Sequence, residues 1–302
     1  MGQLESLAFD ELDPVDTSVL EGDRSVRGII RAIKNGKIKK ICVLTGAGIS
    51  SSTGIPDFRS PGTGIYYNLS KYDLPNPEAM FELDYFKEHP ETFYRFIKEL
   101  LPGKYKPTYA HCFIRLLYEK GLLLRVYSQN IDGLERVAGI PENLLVEAHG
   151  SFSSASCVDC GAGYPMERLY QDLKDGRIPH CSCGELVKPD IVLYGEPLPL
   201  KYMWMHTADM ISCDMVLVMG TSLSVQPFYN LLQLARENVP RLLINREAVG
   251  PFRFCEMASC FRDVFMQAEC DEGVRTLCRE LGWEDSLQEI YDSMNEVSIF
   301  GE

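Results

Sequence analysis

Short, uninterrupted apolar runs alternate with amphipathic helical stretches along most of this chain of 302 residues. The runs cover residues 41–45, 122–128, 143–148, 190–194, 215–220 and 241–245. Continuous apolarity, unlike alternation of apolar and polar residues, is typical of strands that are covered on both faces. Helical patterns such as SVRGIIRAIKNG, TYAHCFIRLLYEKG, PFYNLLQLARENV and DEGVRTLCRELG separate several of the runs. The sequence therefore predicts an α/β fold built on a doubly wound parallel sheet.

Two stretches interrupt this rhythm, and we interpret them as insertions above the carboxyl ends of the strands. Residues 62–104 are rich in Tyr, Pro and Phe and contain the helical pattern ETFYRFIKELL, whereas residues 151–189 hold a cluster of cysteines. The predicted sheet domain then comprises residues 25–61, 105–150 and 190–285. An N-terminal extension and a C-terminal tail flank it at residues 1–24 and 286–302.

Composition excludes several functional classes. With 45% hydrophobic and 24% charged residues, the chain resembles folded proteins rather than disordered or fibrous ones. Its 30 Lys and Arg against 43 Asp and Glu give a net charge of −13, which disfavours nucleic acid and favours cationic partners, although solubility alone also explains it. No apolar run approaches the roughly 20 residues that span a bilayer, and the first residues lack the features of a signal peptide. We therefore expect a cytoplasmic location, with nuclear entry left open.

Four of the eleven cysteines have the spacing of a metal site. Cys157 and Cys160 form a C-x-x-C pair, and 20 residues separate it from the C-x-C pair of Cys181 and Cys183. Without an export signal, such pairs are more typical of structural zinc than of disulfides. Four thiolates would close the coordination shell and leave the ion no position for substrate. His180 restores the usual spacing with Cys183 and is the alternative to Cys181.

A glycine-rich turn, TGAGISSSTG, follows the first predicted strand at residues 45–54. Backbone amides in such a turn can hold a pyrophosphate. Ser51 stands where the dinucleotide-binding fingerprint has its third glycine, so a tight structural turn is an equal alternative. Asp57, Phe58 and Arg59 come next and could grip a polar ring and a charged group, or form a turn with a surface ion pair.

Further polar residues follow the predicted strands, where the carboxyl ends of parallel strands form binding sites. Gln129, Asn130 and Asp132 follow the second strand and could bind ribose hydroxyls or a carboxamide, with Asp132 as a helix cap the alternative. His149 follows the third strand and is a candidate general base, although a lone histidine is more often structural. The same choice between strand-end binding and helix capping holds for Thr221, Ser222, Asn245, Arg246 and Glu247.

Together, these motifs resemble those of the sirtuins, the NAD-dependent protein deacylases. The resemblance covers residues 25–282 in the order of the family, through TGAGISSSTGIPDFRSPGTGIY, SQNIDGLERVAG, VEAHG, the paired cysteines, VKPDIVLYGEPLP, VMGTSLSVQPF and LLINRE. Within the family, the chain is most similar to class I, sirtuin-2-like members. The resemblance implies a Rossmann-like domain with a smaller zinc-binding domain inserted, and a cleft between them in which NAD meets acyl-lysine.

The resemblance also implies site residues by position. NAD would be bound by Ala47, Gly48, Ile49, Ser50, Ser51, Asp57, Phe58, Arg59, Gln129, Asn130, Ile131, Asp132, Thr221, Ser222, Asn245, Arg246, Glu247 and Cys270. The acyl-lysine channel would be bordered by Ile131, His149, Val192, Leu193 and Tyr194, with the substrate backbone pairing as an added strand. One structural Zn²⁺ would be held by Cys157, Cys160, Cys181 and Cys183.

The reaction that the resemblance implies is deacetylation of lysine in proteins with histone- or tubulin-like tails, without nucleic-acid binding or membrane insertion. Asn130 and Asp132 would hold the ribose and carboxamide while the acetyl oxygen attacks C1′ and nicotinamide leaves. His149 would then take a proton from a ribose hydroxyl. The products would be free lysine, nicotinamide and O-acetyl-ADP-ribose.

Two features depart from close members of the family. The second cysteine pair is C-x-C rather than C-x-x-C, and Leu193 and Tyr194 stand where an aromatic pair is usual. The second departure alters the channel wall. Removal of longer acyl groups, mono-ADP-ribosyl transfer, and a non-catalytic module that binds acyl-lysine or ADP-ribose are the alternative functions.

Overall fold

A six-stranded parallel sheet forms the centre of the molecule, with the strand order β3-β2-β1-β7-β8-β9. The computed structural model describes residues 19–55, 67, 69–72, 74–100, 105–254 and 262–296. The central strands are β1 (Ile41–Thr45), β2 (Leu123–Ser128), β3 (Leu145–Glu147), β7 (Met215–Met219), β8 (Arg241–Asn245) and β9 (Asp263–Gln267). The predicted doubly wound parallel sheet is thus confirmed.

Helices cover both faces of this sheet, which explains the continuous apolar runs. On one face lie α1 (Val26–Lys34), α4 (Tyr109–Glu119), α9 (Cys270–Leu281) and α10 (Glu284–Glu296), and on the other α7 (Leu200–Ser212) and the short α8 (Leu231–Leu234). Successive side chains of β1 alternate between the two apolar clusters, with Ile41 and Val43 in one, and Cys42 and Leu44 in the other. Both faces of a central strand are therefore buried, which favours apolar residues at successive positions.

A second, three-stranded antiparallel sheet has the order β5-β4-β6, formed by β4 (Gly150–Cys157), β5 (Gly163–Tyr164) and β6 (Val187–Ile191). The prediction that residues 190–194 form a strand of the parallel sheet is wrong, because this run begins with the last two residues of β6, which pairs with β4, and continues beyond that strand. Its apolar side chains, including Ile191 and Leu193, are buried in a third cluster rather than beneath crossover helices.

This third cluster joins the two predicted insertions. It packs aromatic residues of α2 (Leu83–Glu88) and α3 (Pro90–Leu100) against α6 (Met166–Lys174) and β6. Phe86 and Phe93 come from the first insertion, and their ring centroids are 4.7 Å apart. Leu169 and Val187 come from the second insertion. The smaller unit therefore has one apolar core, while the domain boundaries given above stay predictions.

Local chemistry sets several helix ends. The side chain of Ser25 accepts a hydrogen bond from the Gly28 amide at the start of α1, and Thr108 and His111 form a capping box at the start of α4. The helix predicted over 227–239 is shorter, since Phe228–Asn230 is a 3₁₀ turn and α8 ends before Ala235, whose backbone is extended. Within the described residues, every helix is too short or too polar to cross a bilayer.

Candidate functional site

A cavity of about 910 Å³ lies where the carboxyl ends of the central strands face the second sheet. Most of the predicted site residues line it: Ala47, Gly48, Ser51, Gln129, Asn130, Ile131, His149, Val192, Leu193, Tyr194, Thr221, Ser222, Asn245, Arg246, Glu247 and Cys270. Ile49, Ser50 and Asp132 do not line it, and Asp57, Phe58 and Arg59 fall outside the described residues. The structure thus brings the dispersed motifs to one place.

The glycine-rich turn packs directly against the end of β7. It forms two 3₁₀ turns, Ala47–Ile49 and Ser51–Thr53, and the Gly48 amide donates to the Gly220 carbonyl at 2.8 Å. A Cβ on Gly48 would lie 2.6 Å from the Gly220 Cα, so no other residue fits there without a shift. Gly220 itself has a φ of +61°. Glycine at both positions lets the turn reach the cavity floor.

Side-chain amides tie the strand ends to this turn. Gln129 Nε2 donates to Thr221 Oγ1 at 2.8 Å, and Asn130 Nδ2 donates to the Gly46 carbonyl at 3.2 Å. The carboxylate of Asp132 accepts from Ser50 Oγ at 2.7 Å and from the Leu134 amide at 2.9 Å. Asp132 therefore stabilises the start of α5 (Leu134–Val137), as its alternative reading expects, and also holds the glycine-rich turn.

A buried polar layer beneath these residues is not signalled by the sequence. Glu135 is 1% exposed and accepts from Ser128 Oγ at 2.5 Å, and the same hydroxyl accepts from the Asn130 amide at 3.0 Å. Burial raises the pKa of Glu135 to about 8. His111 is also fully buried, and its Nε2 atom has no partner among the described residues. This layer supports Asn130 from below.

His149 presents its imidazole to the cavity from the turn between β3 and β4. Its Nδ1 lies 2.9 Å from the Gln129 carbonyl, so Nδ1 carries the proton and Nε2 keeps its lone pair. Burial lowers the pKa of His149, and the hydrogen bond to Gln129 opposes this in part. The ring is therefore a neutral imidazole at neutral pH, as a general base requires.

One wall of the cavity consists of Val192, Leu193 and Tyr194, which follow β6. The Val192 amide donates to the His149 carbonyl at 2.8 Å, and the Tyr194 amide donates to the Phe81 carbonyl at 2.7 Å. Leu193 is 1% exposed, whereas Tyr194 is 45% exposed at the rim. This wall is apolar and is joined through the backbone to the candidate base.

Several lining residues were missed by sequence reasoning. Phe81, Leu198 and Met203 extend the apolar wall, and Val225 and Gln226 come from the loop after β7. Phe81 and Met203 lie outside the sequence motifs, whereas Leu198, Val225 and Gln226 lie in VKPDIVLYGEPLP and VMGTSLSVQPF but have no role assigned from the sequence. Strand-end position could have indicated Gly220, whereas the others become neighbours only through the fold.

Four thiols cluster at one end of the second sheet, and none of them lines the cavity. The Sγ–Sγ distances are 3.5 Å for Cys157 and Cys183, 3.7 Å for Cys160 and Cys181, and 3.6 Å for Cys160 and Cys183. Tetrahedral zinc with Zn–S bonds of about 2.3 Å separates its sulfurs by about 3.8 Å, so the donor set fits a structural zinc ion. His180 Nδ1 instead bonds the Ile178 carbonyl at 2.9 Å. Bound zinc would cross-link the two cysteine pairs.

Comparisons with known proteins find a matching family model and several similar proteins. Residues 46–227 match the model of the Sir2 family. NAD-dependent protein deacetylase sirtuin-2 of Danio rerio is 48% identical over 277 residues, which cover 87% of this chain and 73% of that protein. NAD-dependent protein deacetylase hst2 of Schizosaccharomyces pombe is 46% identical over 279 residues, covering 92% and 82%. NAD-dependent protein deacetylase sirtuin-3 of Mus musculus is 46% identical over 271 residues, covering 89% and 79%.

Proposed function

The chain belongs to the Sir2 family, and from that membership we propose that it removes acetyl groups from lysine side chains of proteins in an NAD-dependent reaction. Nicotinamide and O-acetyl-ADP-ribose are the other products. One observation carries the proposal: the neutral imidazole of His149 shares a cavity with the glycine-rich turn and with Gln129 and Asn130. Base, phosphate-type turn and amide donors thus face the same space.

The dinucleotide lies along the carboxyl ends of the central strands in this proposal. The backbone amide of Ala47 in the turn faces its phosphates, while the Gly48 amide keeps its bond to the Gly220 carbonyl, and Asn130 holds the ribose and carboxamide. Two hydrogen bonds support these positions. The bond from Gln129 to Thr221 joins two strand ends, and the bond from Ser50 to Asp132 fixes the turn to the segment that follows β2.

His149 acts as the general base. Its Nε2 atom accepts a proton from a ribose hydroxyl, because Nδ1 is already committed to the Gln129 carbonyl. The acyl-lysine side chain enters along Val192, Leu193 and Tyr194, whose apolar surface excludes water from the reacting groups. Zinc takes no part in the chemistry, since four thiolates fill its shell.

Acetylated proteins are the substrates, and we propose that basic tails of the histone or tubulin type are among them. A net charge of −13 attracts a cationic segment and raises its rate of encounter. We also propose a cytoplasmic location, with nuclear entry left open, which cell fractionation would test.

The proposed reaction is tested by incubating the protein with NAD and matched acetyl-, myristoyl- and unmodified lysine peptides, with mass spectrometry as the readout. We expect nicotinamide and O-acetyl-ADP-ribose in equal amounts from the acetyl peptide. Faster turnover of the myristoyl peptide would favour long-chain deacylation, which the apolar extension of the wall to Leu198 and Met203 could accommodate. A labelled protein product would indicate ADP-ribosyl transfer, and binding without nicotinamide release would indicate a binding module.

The acid side of the pH profile is expected to report His149. The acting form of this residue is neutral, and burial lowers its pKa below the ordinary value of 6.5. Activity should therefore rise as the pH increases through a midpoint below 6.5 and then reach a plateau, when kcat/KM is measured from pH 5 to 9. Proton loss from Glu135, with a pKa of about 8, falls on the alkaline side and is separable. An acid midpoint above 6.5 would contradict the burial of the base.

A further inference from the structure

A buried lysine lies behind the proposed acyl-lysine wall. Lys188, in β6, is 6% exposed, and its Nζ donates to the Ile191 carbonyl at 2.7 Å. The same ammonium lies 3.0 Å from Glu196 Oε2. A buried charge is costly unless it is paired and hydrogen-bonded, and this lysine meets both conditions. Its charge is therefore directed at the segment that follows β6.

Glu196 completes the connection from the other side of that segment. Its Oε2 atom accepts the Leu193 amide at 2.7 Å as well as the Lys188 ammonium, and its own amide donates to the Leu193 carbonyl at 3.0 Å. Glu196 also lines the cavity. One carboxylate thus closes the turn from Leu193 to Glu196 and fastens it to β6.

The remaining anchors of the wall hold its two sides. The Val192 amide is bonded to the His149 carbonyl, and the backbone of Tyr194 is bonded to Phe81 and Leu83. Leu193, between these residues, has its amide held by the Glu196 side chain. The ion pair therefore holds the middle of the wall.

We propose that Lys188 and Glu196 are positioning residues that shape the channel for the acyl-lysine side chain without contributing to NAD binding. This inference rests on the proposed function. Replacing buried ion pairs by apolar residues often leaves stability unchanged, so stability alone does not account for such a pair. A fixed wall lowers the cost of ordering the channel when substrate binds.

The inference is tested with Glu196→Gln, Glu196→Ala and Lys188→Met, with Lys174→Met as the control at an exposed lysine of α6. Glutamine removes the charge but keeps an oxygen for the Leu193 amide, whereas alanine removes both. We expect KM for an acetyl-lysine peptide to rise at least tenfold in Glu196→Ala and Lys188→Met and less in Glu196→Gln. KM for NAD should stay within twofold and kcat within threefold, and the control should match the wild type.

Direct titration of the peptide by calorimetry, together with melting temperature, completes the test. Peptide affinity that falls in the same order while NAD affinity stays near the wild-type value supports the inference, also where the unpaired charge lowers the melting temperature. An unchanged peptide KM, or equal increases in both KM values alongside a lower melting temperature, overturns it and leaves the proposed function intact. A wild-type protein that releases no nicotinamide with any acyl peptide overturns both.

Discussion

Replacement of His149 by alanine is expected to lower kcat/KM for NAD-dependent deacetylation by about 10²–10⁴-fold, the usual contribution of a positioned general base. The reason is geometric as well as chemical. Because Nδ1 is bonded to the Gln129 carbonyl, the lone pair that this residue offers to the cavity is on Nε2. Alanine leaves the ribose hydroxyl without an acceptor, and the loss should fall mainly on kcat.

The matched control is His89→Ala, because His89 is an exposed histidine at the end of α2 and lies outside the cavity lining. It should keep wild-type kinetics. Circular dichroism and zinc content should be the same in both variants and in the wild type. Turnover by His149→Ala within tenfold of the wild type would remove this residue from the chemistry. A rise in the KM for NAD at unchanged kcat would instead assign it a binding role.

How far the sequence determines the fold can be judged from individual strands. The run Ile41–Thr45 predicts its strand correctly because β1 contributes side chains to clusters on both faces of the sheet. The run at residues 190–194 is apolar for a different reason, since Ile191 and Leu193 are buried in the aromatic core of the smaller unit. Local pattern reports burial and does not say which element provides it.

The edge strand β9 was missed for a related reason. It begins at Asp263, which reads as a surface residue but is 4% exposed and paired with the buried Arg241 through Nη2 and Oδ2 at 2.6 Å. A charged residue can be buried in a strand when an opposite charge pairs with it. Here the partner lies 22 residues away, so the sequence does not reveal the pair.

The residues of the candidate site also differ in how far the sequence predicts them. Residues such as Asn130 and His149 were predictable because parallel strands bring their carboxyl ends to one edge. Glu135 and Lys188 were not, because each depends on partners supplied by the fold, such as Ser128 for Glu135. The sequence therefore indicates the groups that face the cavity, while the buried groups that hold them require the structure.

Loss of one zinc ligand is expected to lower the stability of the smaller unit strongly. Serine in place of Cys181 should reduce bound zinc from one ion per chain to a small fraction and lower the melting temperature markedly, because structural zinc sites contribute about 10–16 kcal/mol of metal-binding free energy to folding in small domains. The Cys181 amide also donates to the Glu185 carbonyl at 2.8 Å, so the cysteine loop leads directly into β6. Disorder there should reach Val192–Tyr194 and lower peptide affinity.

His180→Ala is the informative counterpart, because it separates the two candidates for the fourth ligand. His180 is exposed and its ring is bonded to the Ile178 carbonyl, whereas Cys181 Sγ lies 3.7 Å from Cys160 Sγ. His180→Ala should therefore keep full zinc content, measured by plasma mass spectrometry after dialysis against a weak chelator, and near-wild-type melting. If His180→Ala loses the metal while Cys181→Ser retains it, the histidine is the ligand and the cysteine loop must rearrange around the ion. Because zinc lies outside the cavity, any activity lost with it should appear as a higher peptide KM before kcat falls.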